Sequence, residues 1–328
     1  MKRLLLSAAM LSAFAAAAAP ATVPTGSRHY AVQRRFDLDG QGKWDYAAVD
    51  ATRQRLYLSR GDHVQVLQLP SGQPIGDIAN TPGIHDVAFA QDLGLGFASA
   101  GKSDSILVFD LASLKPRREI KVGGNPDALL YEPVSHKLFA FNGKSRDVSV
   151  IDARTLAVVA TIPASGRPES AASDGAGRVY VNIEDNAGID VIDIASNAIV
   201  ARWKLAGCDE PSGLAIDTRH RRLFSTCQNR IMAVTDSETG ARVANVAIGE
   251  HPDAAAFDAA SGTVFSSNGG GAGTLSVIHE DDAGHYSVVD NVATRKGAKT
   301  MAFDSASGTV YLPTIVDDRF TVLVVAPR

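Results

Sequence analysis

One short pattern occurs seven times along this chain, and that repetition limits the folds open to it more than any single residue does. Each copy opens at an Asp-like anchor and runs into a strand of small and apolar residues. A turn follows about five residues later, then a second strand reading Leu/Val-Tyr/Phe-x-x. A third strand reads x-Val-x-Val-Ile-Asp, and a Val-rich fourth strand closes the unit. Residues 127–162 and 169–205 are the clearest copies, and the anchors fall at Asp45, Asp86, Asp127, Glu169, Ser212, Asp253 and Lys299. Four short strands on a period of about 40 residues cannot bury their own apolar faces, so each unit must pack on its neighbours. This is the pattern of propeller blades. The expected fold is all-β: a seven-bladed β-propeller with four-stranded antiparallel blades.

The ends of the pattern predict how the ring closes. Each fourth strand ends in an aliphatic residue (Ile78, Ile120, Ile162, Leu205, Val246, Val292) about seven residues ahead of the next anchor. The seventh unit, from Lys299, has three strands and no fourth, while Leu38 precedes Asp45 by the same offset of about seven. The strand around Val32–Leu38 is therefore expected to complete the last blade, which removes exposed sheet edges. Residues 21–328 read as a single propeller domain. A stacked solenoid would need polar capping units, and neither terminus offers one.

Residues 1–20 read as a secretory signal: Lys2 and Arg3 form the charged head, Leu4 to Phe14 the apolar segment, and Ala15–Ala19 the small-residue cleavage region. Eleven or so apolar residues are too few to span a bilayer, and no Cys follows for a lipid anchor. The mature chain is expected to be periplasmic or secreted, without a membrane span, and monomeric. Losing Lys2 and Arg3 takes the formal charge from −4 to −6. With no basic block or stripe, a generic electrostatic grip on nucleic acid is not indicated. The two cysteines, Cys208 and Cys227, lie before the first strand and at the end of the second strand of the fifth unit. Antiparallel pairing brings those points together, so an oxidising compartment favours a disulfide. Its stabilisation is about 3 kcal/mol on a chain-entropy treatment. With no C-x-x-C, a redox couple is not indicated.

The segment containing Asn142, Val148, Ser149, Val150, Ile151, Asp152, Thr155, Thr161 and Ile162, with Val179-Tyr180-Val181 and Val191-Ile192-Asp193 in the next copy, resembles the YVTN-repeat β-propellers, which include YncE-like periplasmic proteins. Later copies are looser, with Phe224 to Cys227 replacing the first tetrad and Ser276 to His279 the Ile-Asp end. The resemblance covers essentially the whole mature chain. It implies the propeller fold and, through YncE-like members, an association with single-stranded DNA. It implies no catalytic apparatus, because the motif marks architecture.

Repetition also serves as an internal control. The recurring anchor acids Asp45, Asp86, Asp127, Glu169 and Asp253 are explained most simply by short acids accepting backbone N–H bonds at a loop-to-strand junction. A ring of carboxylates around the channel mouth, able to hold a divalent cation, is the alternative, although no calcium-loop spacing is present. The turn acids Asp50, Asp174, Asp217, Asp258 and Asp304, and Asp110, Asp152, Asp193 and Asp236, read as hairpin chemistry. Departures from the repeat carry more information. Four blades have Pro before the anchor, but the second has His85 and the first Trp44; Lys299 and Ser212 replace the anchor acid. Arg60 stands where other copies keep Asn142 and Asn268. With Glu210 and His251 from the entering loops, and Lys102, Lys144 and Arg146 after the second strands, they outline a mixed rim able to bind a ligand. The glycine-rich run at 269–273 lacks the following Lys-Ser/Thr and helix of a phosphate loop.

The leading expectation is an exported, non-catalytic propeller that binds an unknown small ligand or protein on that rim, with no cofactor required. The alternative is a propeller hydrolase or lyase using His85 with Asp86 or Asp45, or His251 with Glu210, as a general acid–base pair, with or without a divalent ion. Adjacent strand residues face opposite sides, which disfavours His85 with Asp86. Binding of single-stranded DNA follows from the resemblance alone. No C-x-x-C-H for covalent haem and no zinc-ligand spacing is present.

Overall fold

A computed structural model describes residues 28–40, 42–282 and 284–328; the expected signal segment lies outside the described residues. Seven four-stranded antiparallel sheets follow one another, six of them built from consecutive strands. Blades 1 to 6 span residues 47–78, 84–121, 126–163, 168–204, 211–247 and 252–293. Blade 7 takes three strands from residues 302–327 and its outer edge from the N-terminal strand Tyr30–Asp37, which pairs with Arg319–Pro327 in antiparallel register, Phe36 facing Val322. The Leu38 amide continues the ladder to the Phe320 carbonyl at 2.9 Å. Helix among the described residues is limited to three-residue 3-10 turns, such as Gln91–Leu93. None of it is long and apolar enough to cross a membrane.

Period-2 alternation cannot hide both faces of a thin sheet, so the core lies between blades. Each interface holds its own apolar cluster. Tyr57, Val64 and Ile78 of blade 1 meet Val87, Leu107 and Phe109 of blade 2, and equivalent clusters follow around the ring. The closing interface is built the same way: Phe320, Val322 and Val324 of blade 7 pack with Phe36 and Leu38 against Leu56, Leu58 and Leu67 of blade 1. Aromatic pairs cross between neighbours, as in Tyr57–Phe89 at 4.8 Å and Phe265–Phe303 at 5.2 Å. Each buried large side chain contributes about 1.5–3 kcal/mol, so an interface loses its stability if its partner blade is removed.

The hairpin acids behave as turn chemistry. Asp110, Asp152 and Asp236 each accept backbone N–H groups two and three residues on. The expected disulfide is present, with Cys208 and Cys227 joined and their Cα atoms 5.3 Å apart.

Candidate functional site

The first strand of most blades carries a register shift at its anchor. It falls between Ile84 and Val87, Pro126 and Leu129, Pro168 and Ala171, Pro211 and Leu214, and Pro252 and Ala254. Such a bulge re-aims a side chain out of the sheet alternation. Here it turns the anchors toward the axis, where they form a polar network.

Asp86 alone among the anchor acids keeps the expected structural role. It accepts the Val87 amide at 2.7 Å and the Leu129 amide of blade 3 at 2.9 Å. Its burial nevertheless pushes its carboxyl up to about 7. Asp45, Asp127, Glu169 and Asp253 accept no backbone N–H among the described residues, so the turn explanation does not extend to them. Asp45 Oδ2 lies 2.7 Å from His85 Nδ1, and Asp127 Oδ1 lies 3.7 Å from the same nitrogen. Lys299 donates to Asp253 at 2.5 Å and sits 3.9 Å from Asp45. Lys299 thus supplies, in place of an acid, the countercharge for its neighbours.

A residue outside the sequence-derived set closes the network. Tyr46 of blade 1 reaches across to blade 4, its hydroxyl donating to Glu169 Oε1 at 3.3 Å and lying 3.4 Å from Ser170 Oγ. Burial, then the surrounding acids Glu169, Asp253, Asp127 and Asp45, hold its phenol well above the ordinary value. The signal was present in the repeat: the residue after the anchor is Ala128, Ser170, Gly213, Ala254 or Thr300 in other copies, and only blade 1 places an aromatic ring there.

The electrostatics follow from four acids and two cations in a partly buried space. Burial raises Asp127 to about 6, against the opposing pull of His85, and raises Glu169 and Asp253 as well. Burial also depresses His85, but the hydrogen bond to Asp45, the charges of Asp127 and Asp45, and a hydrogen bond with Asn125 reverse this and lift it to about 9. Gly101 permits the close approach, because a Cβ there would stand 2.9 Å from His85 Nε2. A value near 9 favours the imidazolium form of His85 at neutral pH. Asp45, His85 and Asp127 have a metal-like donor set within 4.8 Å, but His85 Nδ1 is already hydrogen-bonded to Asp45, which suits charge neutralisation rather than ligation.

His85 and Asp45 also form the floor of a cleft of about 550 Å³ between blades 1 and 2, walled by Trp44, Arg60, Ile84, Lys102 and Asn125 and bordered by Lys43. Trp44 packs against Phe320 with ring centroids 5.8 Å apart. Arg60 is only 8% exposed; it lies 3.8 Å over the Phe320 ring and donates to Gln65 and the Asp39 carbonyl. Its first role is to hold the wall.

Other sequence-derived rim residues fall elsewhere. Asn142 and Asn268 are fully buried and bond within their own blades, to Asp147 and Ser149, and to Thr274 and Ser276. Ser212 is buried and donates to the Pro252 carbonyl of blade 6. Glu210 lines a separate acidic cleft with Glu184, Asp185 and Asp209. His251 is exposed and contacts Gln228 at 3.3 Å, making no hydrogen bond to Glu210. Lys144 and Arg146 are not among the cleft-lining residues, and Arg146 instead pairs with Asp185.

The fold and site define a class: a disulfide-stapled seven-bladed β-propeller with a network of polar anchors joined across the ring by Tyr46 and a mixed cleft beside it. No family model and no curated protein matches the chain. Among solved structures, it resembles Kuenenia stuttgartiensis hydrazine synthase, with a TM-score of 0.76 and 17% identity over 85% of this chain and 94% of the other. It also resembles a chain of the mitotic checkpoint complex, with a TM-score of 0.78 and 15% identity over 96% and 98% of the two chains. A third likeness is to U3-55K, with a TM-score of 0.77 and 12% identity over 92% and 100%. At these identities the likeness is one of fold alone.

Proposed function

We propose that this chain is an exported, YncE-like propeller that binds a small anionic ligand, without turnover, in the cleft between blades 1 and 2. The observation that carries this reading is the cleft itself. It lies where the repeat departs from its own pattern, at Trp44, Arg60 and His85, and its lining sets Lys43, Arg60, Lys102 and His85 against the two acids Asp45 and Asp62, an excess of positive charge. An indole and an isoleucine add apolar wall, the combination that suits a small carboxylate or phosphate with an apolar portion. The bond from His85 to Asp45 and the upward shift it contributes to argue against general-base chemistry, since an imidazolium has no pair to accept a proton. Export is supported by the disulfide together with the signal-like leader.

A thermal-shift screen of mature protein with carboxylates, phosphate esters and a labelled single-stranded oligonucleotide, with and without divalent ions and EDTA, tests the reading. A small anion should raise the melting temperature, and Lys102→Ala combined with Trp44→Ala should remove the effect. Turnover of any bound compound, or binding indifferent to these substitutions, defeats the proposal. Salt-sensitive oligonucleotide binding in place of a small-anion response would shift the assignment to nucleic acid.

A further inference from the structure

A second departure from the repeat lies on the blade 5–blade 6 interface, away from the cleft. In most blades the first strand ends in an acid that organises the following turn. In blades 6 and 7 a serine three residues later donates to it: Ser261 to Asp258 Oδ2, and Ser307 to Asp304 Oδ2, both at 2.6 Å. Blade 5 has the acid, Asp217, but puts His220 in the serine's place. The second half of the departure comes from blade 6, whose third strand Thr274–Asp282 runs to nine residues where the equivalent strands of blades 2 to 5 have six. At the position where blades 2, 3 and 4 bury Leu111, Ala153 and Ile194, it buries Glu280.

The two changes meet. His220 Nδ1 lies 2.7 Å from Asp217 Oδ2 and 3.3 Å from Glu280 Oε2, and the two carboxylate side chains are 4% and 2% exposed. All three atoms are buried, and none makes a contact of hydrogen-bond geometry. The opposite oxygen of each acid is anchored: Asp217 Oδ1 accepts the Arg219 amide at 2.9 Å, and Glu280 Oε1 accepts the Tyr286 hydroxyl at 3.1 Å. Each carboxylate is thus oriented by one oxygen and presents the other inward, as outer contacts orient metal ligands. Ligand atoms about 2.0–2.1 Å from a tetrahedral centre stand about 3.3 Å apart; the His220–Glu280 separation has that value, and the 2.7 Å between His220 and Asp217 must open slightly to admit an ion.

We propose that Asp217 Oδ2, His220 Nδ1 and Glu280 Oε2 form a site for one divalent transition-metal ion of the zinc class, clasping blade 5 to blade 6. Three protein ligands leave one position of a tetrahedral sphere for a water molecule. One imidazole and two carboxylates suit zinc or manganese better than calcium. The ligands come from two blades, so no short sequence spacing announces them.

The test uses untagged mature protein, stripped with EDTA and titrated with Zn²⁺, Mn²⁺ and Co²⁺ by calorimetry, with elemental analysis of the preparation before stripping. One equivalent should bind, raise the melting temperature and give Co²⁺ a visible ligand-field spectrum. His220→Ser restores the residue that blades 6 and 7 carry, and Glu280→Leu the residue of blade 2. Both variants should fold, and each should weaken binding by about 10- to 100-fold or more. Absence of binding to wild-type protein overturns the proposal. So does binding unchanged in His220→Ser, or binding lost instead in Asp127→Asn, which would move the ion to the channel.

Discussion

If His85 is the cation that the channel acids require, its titration must show it. The rise from 6.5 to about 9 corresponds to about 3 kcal/mol at about 1.4 kcal/mol per pH unit. Because the folded state holds the proton more tightly, this stabilisation is complete below 6.5 and is lost as pH rises through about 9. Asp127 and Asp86, raised to about 6 and about 7, run in an earlier window: their protonation favours the folded state, and that advantage fades as pH climbs from 3.8 to their folded values. The His85 contribution therefore stands apart above neutrality. It is read by NMR titration of labelled histidine, with His85→Gln assigning the resonance, and by urea unfolding of both proteins from about pH 6 to about pH 10. Wild-type His85 should titrate near 9, and the wild-type advantage over His85→Gln should shrink by about 3 kcal/mol across that range. Asp45→Asn removes the 2.7 Å hydrogen bond but leaves the burial, so the midpoint should fall by at least about one pH unit. A wild-type midpoint at or below 6.5, or one indifferent to Asp45→Asn, would refute the electrostatic account of the channel and return His85 to the pool of possible general bases.

Two further outcomes are expected. Reduction of Cys208–Cys227, or the double substitution to Ser, should cost about 3 kcal/mol in chemical denaturation, and an unchanged midpoint would mean that blade 5 holds that loop without the crosslink. Tyr46→Phe should cost about 0.5–1.5 kcal/mol, because Glu169 loses its hydroxyl donor in a partly buried site; a neutral result would show that water replaces the phenol.

The fold was legible because spacing alone carries it. Matching offsets at Leu38 and the six blade ends predicted the closing strand, and Leu38 bonds Phe320 as that offset requires. The disulfide was legible for the same reason, since antiparallel pairing is a statement about sequence order. The site was legible only in part. The pairing of His85 with Asp45 follows from their places at and just before the anchors of adjacent blades. The approach of Asp127 depends on ring curvature, and the reach of Tyr46 to Glu169 on the ring's diameter, neither of which a one-dimensional pattern contains. Asn142 and Asn268 failed as rim residues because a short amide at the end of the second strand bonds its own third strand. Arg60, at the same position with a longer stem, reaches a neighbouring ring instead.

The repeat is also what separates scaffold from chemistry in the finished structure. Asp258 and Asp304 carry the same turn as Asp217 and satisfy it with a serine, so the acid itself needs no function beyond the turn. What the turn does not require is an imidazole beside it, or a second carboxylate delivered from a lengthened strand of the next blade. Leaving Asp217 and Glu280 side by side without a cation between or beside them would cost several kcal/mol, and a hydrophobic residue at 280, as in blades 2 to 4, would avoid that cost. A divalent ion bound by all three side chains would supply countercharge to both carboxylates. The channel is the opposite case, because His85 Nδ1 is already hydrogen-bonded to Asp45 and Lys299 supplies a second positive charge. Two clusters of similar composition are thus distinguished by whether their nitrogen is already spoken for.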